Sequence, residues 1–389
     1  MREYIKLCDV CDFQGGSQPP KNEWSFDLKD GYIRMLQIRD FTQSERVAPE
    51  YIKITKATKI CEVDDILIAR YGASLGKVLT GLAGAYNVAI MKTIPDTNVL
   101  EKKYLYYYLK SPIFQGFLLN VGSRAAQAGF NKNDLQDLLI PNITRNEQVE
   151  IVGTLERVET VIEARQNELQ KLDDLIKARF VEMFGDPQIN EKGFIKAPMG
   201  EYLSLLTDFS SNGSYKTLDS GVVMYDEPNY AWMVRTTDLE SGDMSSIKYI
   251  DEKAYELLSK SKIFGGEIIM NKIGSAGKIY IIPKLTMPAS LGRNAFMFRY
   301  DERINNIFMY YLLTSDYGQR EIQQYVRGAV TKTITKDDAR AVLIIVPPLE
   351  LQQQFADFVQ QVDKSKLAVQ KSLDKTQQLF DSLMQEYFG

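Results

Sequence analysis

One stretch near the middle of the chain limits what the rest can fold into. Between Gln148 and Phe184 apolar residues recur in alternating steps of four and three: Ile151, Leu155, Val158, Ile162, Leu169, Leu172, Ile176 and Met183, interrupted only by Arg165 and Arg179. A 3.5-residue period without Gly or Pro after Gly153 is a coiled-coil seam, narrower than the stripe of an ordinary core-facing helix. Such a helix cannot bury its seam alone and needs a partner of equal length. The chain supplies one. Adding 204 to the seam positions gives Phe355, Val359, Val362, Lys366, Val369, Leu373, Thr376, Phe380, Leu383 and Tyr387, eight of them apolar. The same offset relates Gln148 to Gln352, Val158 to Val362, Leu169 to Leu373, Phe184 to Phe388 and Gly185 to Gly389. Two unrelated amphipathic helices would share a period but not a register and a Phe-Gly ending, so the chain is a duplication.

The segments before each helix repeat as well. Tyr32–Arg39, Asp65–Arg70 and Tyr86–Thr93 read as strands and Lys102–Phe117 as a helix. Thr144 and Glu147 form a capping-box pattern at the start of the central helix, and Gly185-Asp-Pro187 is its stop signal. Gln188–Pro198 reads as a polar linker. Beyond it Met35 is echoed by Met233, Asp40-Phe41 by Asp238-Leu239, Asn87 by Asn294, and Tyr106-Tyr107 by Tyr310-Tyr311. Ile66–Lys77 is echoed by Ile268–Lys278, Asn131–Asp134 by Thr335–Asp338, and Ile140-Pro141 by Val346-Pro347. The expected organisation is a globe at 1–145, a helix at 146–186, a second globe at 187–345 whose first residues (187–198) are linker, and a helix at 346–389. Globes that share a frame but differ in surface residues suit two copies of one recognition scaffold reading different targets.

Charge and composition narrow the class. The net charge of −4 disfavours a nucleic-acid partner at first sight, but its distribution is uneven. Residues 1–145 carry net +3, 146–186 net −5, 187–345 zero and 346–389 net −2. The helices hold the negative excess, which leaves neutral-to-basic globes free to use local patches. No apolar run approaches the roughly 20 residues that span a bilayer. The start shows no apolar signal region, and three cysteines form no disulfide framework, so a soluble cytoplasmic protein is expected.

Catalytic motifs are hard to find. Without histidine the chain cannot build a Ser-His-Asp or Cys-His arrangement. It has no Gly-x-Gly-x-x-Gly cofactor loop, and Val346-Pro-Pro-Leu349 lacks the polar residue of an amino-methyltransferase motif. Gly72–Lys77 resembles a phosphate-cradling loop, but its glycines are too close and Val78 follows the lysine. It reads better as a tight turn whose backbone N–H groups and lysine can meet a DNA phosphate. Cys8-x-x-Cys11 has no second pair, and apolar residues replace the cysteines in the repeat, so they read as buried fillers and no metal is expected. Asp134 and Asp338 read as helix caps. The chain reads as a binder rather than an enzyme. Its candidate DNA contacts are the polar and basic residues of matched loops: Arg70, Ser74, Lys77, Arg124, Gln127, Asn131 and Lys132 in the first globe. In the second they are Lys272, Ser275, Lys278, Arg293, Arg327, Lys332 and Lys336. Arg and Lys reach guanine O6/N7, Asn and Gln adenine N6/N7, and all of them phosphate.

Globe–helix–globe–helix, with Leu172–Pro187 ending the central helix, the strand–Gly–Lys turns, and Ile140-Pro141 followed by Glu147-Gln148, resembles the DNA-specificity subunit of type I restriction–modification systems across essentially the whole chain. The second helix start differs, with Gln352-Gln353 standing for Glu-Gln. The resemblance implies an α+β fold: two α/β target-recognition domains in pseudo-twofold repeat, separated by two long antiparallel coiled-coil helices acting as a spacer. It implies that each domain reads one half of a split duplex-DNA site in the major groove. It further implies two methyltransferase subunits as partners, which carry S-adenosylmethionine and the catalytic motif, with or without a motor-nuclease subunit; this chain itself would bind no cofactor. The competing reading of the same residues is a coiled-coil scaffold whose globes bind something other than DNA. Salt-dependent binding to duplex DNA separates the two.

Overall fold

The computed structural model describes residues 3–122 and 129–389. The central helix spans Arg145–Phe184 and the terminal helix Leu349–Phe388, 40 residues each, or about 60 Å at the α-helical rise. The capping box forms as expected. Glu147 Oε2 accepts the Thr144 N–H at 2.8 Å, and the Thr144 hydroxyl accepts the Glu147 N–H at 3.3 Å. Gly185 ends the helix in the left-handed region at φ +70°, where a Cβ is unwelcome.

The chain forms two compact units, and each helix is divided between them. The first unit comprises Met1–Asn167 with Gln370–Gly389, the second Glu168–Val369. Within each unit the helix segments run antiparallel. In the second, Phe180 packs on Phe355 (ring centroids 5.4 Å) while Asp173 pairs with Lys366 at 2.5 Å. In the first, the helix Lys102–Lys110 lies against both. Its Lys103 pairs with Glu156, and its Tyr104 meets the Phe388 ring at 5.1 Å. One turn further on, Tyr107 donates to Glu159 at 2.5 Å and faces Phe380. Residue numbers thus rise along one helix as they fall along the other. Phe380 and Phe388 of the terminal helix fill the same core as Leu7, Phe13, Tyr108 and Leu155; Phe180, Phe184, Phe308 and Phe355 form the equivalent centre in the second unit. Each such ring buries about 1.5–3 kcal/mol of apolar surface. Lys366, an outlier in the seam, is explained by the Asp173 pair. Arg179 pairs with Glu182 and lies over the Phe358 ring.

Sheet topology repeats element by element. In the first unit a four-stranded sheet has the order Cys11–Gly15, Ile90–Pro95, Leu67–Ala69, Val78–Leu79. The second has Leu203–Asp208, Ala295–Tyr300, Ile268–Asn271, Ile279–Ile281 in the same order. A further sheet orders Tyr51–Lys53, Tyr32–Leu36, Gly84–Tyr86 and Ile60–Cys61, matched by Lys248–Ile250, Ala231–Val234, Ala289–Leu291 and Lys262–Ile263. The first unit adds Trp24–Ser25 at its edge. Met35 and Met233 stand at the equivalent parallel pairing in each.

One buried amide fastens each helix start to its globe. Gln148 Oε1 accepts the Glu101 N–H at 2.8 Å, and its Nε2 donates to Val99 and Ile143 carbonyls at 3.0 and 3.1 Å. Gln352 does the same with the Asn305 N–H and the Arg303 and Pro347 carbonyls. The helix starts therefore align Gln352 with Gln148. The counterpart of Glu147 is Leu351, not Gln352 as the reading of paired motifs has it.

Several boundaries differ from the sequence expectation. The helix expected over Lys102–Phe117 is two, Lys102–Lys110 and Pro112–Gly122, because Pro112 has no N–H to continue the first. The repeat breaks at the same place without a proline: Ser315 caps Asp316–Gln323, accepting the Gly318 N–H at 3.2 Å. Tyr86–Thr93 is split by a turn in which Asn87 Oδ1 accepts the Ala89 N–H. Tyr32–Arg39 turns helical at Ile38, where Asp40 closes a capping box. The strand expected over Asp65–Arg70 spans only Leu67–Ala69. The linker Gln188–Pro198 ends in a strand, Ile195–Pro198, paired with Leu343–Val346.

Candidate nucleic-acid interface

In each unit three loops meet at one end of the four-stranded sheet. The first is the turn after Leu67–Ala69, with Gly72 and Gly76 at φ +69° and +81°; in the repeat Gly274 and Gly277 stand at +81° and +88°. Glycine suits Gly76 by its positive φ, and a Cβ there would also displace Gln115, whose Oε1 it would meet at 2.6 Å. Gln115 donates to the Gly76 carbonyl at 2.9 Å, and Gln319 reaches the Gly277 carbonyl at 3.4 Å. The second loop follows Gly84–Tyr86 or Ala289–Leu291; Arg70 N–H bonds the Ala89 carbonyl, Lys272 N–H that of Asn294, so Asn294 takes the place of Ala89 and not of Asn87 as the sequence echo has it. The third loop precedes the capped turn. Tyr71 bridges Gly129, and Ile273 bridges Thr333.

The candidate contacts that fall within the described residues lie in these loops, in different states. Arg70 is engaged internally, donating to the Phe130 carbonyl at 3.1 Å and to Val88 at 3.2 Å. Ser74 is half-buried in the turn, and Lys77 is exposed at its end. Asn131 caps the turn Lys132–Leu135, its side chain accepting the Asn133 N–H at 2.8 Å, and Lys132 pairs with Asp12. Arg124 and Gln127 lie outside the described residues. In the second unit Lys272 and Lys336 converge on Asp208, at 2.7 and 2.9 Å. Lys278 pairs with Glu240, and Arg327 with Asp338 at 3.1 Å. Arg293 pairs with Asp219 at 3.1 Å and lies over the rings of Phe209 and Tyr215. Ser275 and Lys332 are exposed. Asp134 and Asp338 close capping boxes with Asn131 and Thr335.

Electrostatics follow from these pairs. Burial works to raise the Asp208 carboxyl, but hydrogen bonds from Lys272, Ser211 and Lys336 prevail and hold it down at about 2. The Lys132 ammonium holds Asp12 below its ordinary value, and the hydrogen bond from Lys278 does the same for Glu240. Burial pushes the Cys11 thiol up to about 12 and Cys61 to about 11, which suits core fillers.

Sequence reasoning missed Asp208, Asp12, Glu240 and the two glutamines Gln115 and Gln319. The glutamines were findable, because they are identical at the 204-residue offset of the helices. Asp208 was not, since it has no like residue in the first copy.

Two copies of one mixed α/β domain, each converging three polar loops and each fastened to a shared pair of long helices, define a duplicated recognition protein. The family model for the type I restriction modification DNA specificity domain matches residues 2–173 and again 203–378. The chain belongs to that family and carries its domain twice. It is 23% identical to the type I restriction enzyme MjaVIII specificity subunit of Methanocaldococcus jannaschii, over 97% of this chain and 91% of that one. Its fold is shared with the S subunit of a type I restriction–modification system from M. genitalium (TM-score 0.54, 15% identity, covering 100% of this chain and 96% of that one). A chain from a structural study of type I complex assembly and conformational transition superposes with TM-score 0.60 at 17% identity, covering 99% and 97%. Among the described residues no helix is long and apolar enough to cross a membrane.

Proposed function

We propose that the chain is the non-catalytic, target-reading component of a type I restriction–modification assembly, and that each unit reads one half of a bipartite duplex-DNA target. The observation that carries this is the duplication of the loop convergence. The same three loops meet in both units on the same strand ends with a lysine common to both (Lys132 and Lys336), while other side chains differ: Arg70 on backbone carbonyls in one, Lys272 on Asp208 and Arg293 on Asp219 in the other. A shared frame with different side chains is what two different half-sites require.

The candidate loop residues supply the contacts in this reading, with Lys77 and Lys332 as phosphate contacts and the remainder divided between phosphate and base edges. Two methyltransferase subunits dock on the two equivalent faces of the repeat, bring S-adenosylmethionine and perform the chemistry; a motor-nuclease subunit completes the restricting form. Titration of labelled duplex DNA at several salt concentrations tests the binding mode, because each neutralised phosphate releases counterions. Affinity should fall steeply as salt rises. An affinity indifferent to salt would rule the mode out and favour a scaffold that binds something else.

A further inference from the structure

The two units solve one problem at the centre of the loop convergence by different chemistry. Gly15 stands opposite Met91, which stands opposite Ile68; Asp208 stands opposite Phe296, which stands opposite Met270. One step along, Ile90 faces Ala69 and Ala295 faces Asn271. Gly15 and Asp208 therefore share one register position, beside Arg70 and Lys272. In the first unit the place is left to Arg70: a Cβ on Gly15 would meet its Nη1 at 3.3 Å, close enough that the guanidinium, held by two backbone carbonyls, would have to shift. In the second unit the position carries a carboxylate that is 6% exposed and bonds both Lys272 and Lys336. It also accepts the Ser211 N–H and hydroxyl at 3.1 and 2.7 Å.

We infer that Asp208 is a positioning residue for the second half-site, its buried carboxylate holding Lys272 and Lys336 at the meeting point of the three loops where Arg70 stands in the first unit. The inference rests on the DNA-reading assignment. Counted alike, each cluster carries one net positive charge: Arg70 and Lys132 with Asp12 in the first, Lys272 and Lys336 with Asp208 in the second. An ammonium has three N–H donors. Lys272 uses one on Asp208, and Lys336 uses two, on Asp208 and Ser211. Donors remain for an incoming base edge or phosphate, and the carboxylate fixes where they stand. Without it two like charges are left side by side on side chains rich in rotamers, and each swings outward into solvent.

The test is selection of bound sites from a randomised duplex library by the full chain assembled with methyltransferase subunits. Three chains are compared: the parent, Asp208→Asn, and Asp208→Gly with Lys272→Arg, which transplants the first unit's arrangement. Asp208→Asn should reduce discrimination in the second half-site by roughly tenfold, the scale of one good base contact, and leave the first half-site unchanged. The double variant should recover most of it. Equal loss in both half-sites means a merely structural prop and overturns the inference, as does no loss in either. If Asp208→Asn does not fold, the double variant decides alone: retained second-site discrimination supports the inference and its absence refutes it. A parent that enriches no bipartite motif sinks the DNA-reading assignment first, and this inference with it.

Discussion

Replacing Gln352 with leucine isolates the buried amide that fastens the terminal helix to its globe. The side chain is fully buried, its Oε1 2.8 Å from the Asn305 nitrogen and its Nε2 2.8 and 3.1 Å from the Pro347 and Arg303 carbonyl oxygens. Leucine has nearly the same volume, so little cavity opens and the cost lies in the partners. Three backbone groups lose their bonds, and orphaned buried groups cost about 1–3 kcal/mol each before relaxation, so about 3–6 kcal/mol in sum is expected. The Asn305 N–H lies at the N-cap of the helix Asn306–Thr314, so the damage reaches the aromatic centre around Phe308. In a unit of this size each kcal/mol lowers Tm by about 2–4 °C, which puts the variant roughly 6–24 °C below the parent. Calorimetry on the full chain measures it, with the exposed neighbour Gln353→Ala as a control expected within about 0.5 kcal/mol of the parent. Gln148→Leu should cost about the same in the first unit. If Gln352→Leu melts with the control, the amide is not a lock and the account of the helix starts fails.

Three further outcomes are expected. Ile176→Asp places an unpaired charge where the seam is fully buried and should cost about 3–5 kcal/mol; unchanged melting would contradict the paired helices of the second unit. Lys77→Ala and Lys332→Ala should each weaken DNA binding on all sequences alike and flatten the log–log salt dependence by about 0.9; a sequence-dependent effect would move them from phosphate to base contacts. Asp208 is held below its ordinary carboxyl value, so the stability its charge supplies is complete above about pH 4 and is lost as pH falls toward about 2. Acid-unfolding curves of parent and Asp208→Asn should therefore differ at pH 5 and converge near pH 2; a difference that widens on acidification would reverse the sign of that argument.

Much of the architecture was legible because the chain states it twice. The 204-residue offset carries the helix register from Gln148/Gln352 to Gly185/Gly389, and the sheets share one strand order in both units. Boundaries were less legible where a local signal competed with a longer run. Pro112 divides an apolar stretch that reads as one helix, and the turn at Asn87 divides what reads as one strand. That each helix is shared between two units could not be read from either seam, since it depends on which globe Phe380 and Phe388 reach. The candidate loops were chosen by recurrence, and so were most of the candidate residues in them. Asp208 pairs across the repeat with a glycine, and Glu240 and Asp219 act on lysine and arginine far away in sequence. Recurrence is blind to such residues, because they are where the two copies had to differ.

The central claim is that each unit reads its own half of the target. Its most direct measurement is a genome-wide map of methylated adenines in cells carrying a hybrid chain, with residues 1–145 replaced by the matching domain of a relative. The replacement must keep aromatic residues at Tyr104, Tyr107 and Tyr108, on which Phe380 and Phe388 pack. The expected sites have one half changed and the other the parent's, base for base. Sites altered in both halves, or in neither, would contradict independent reading by two units.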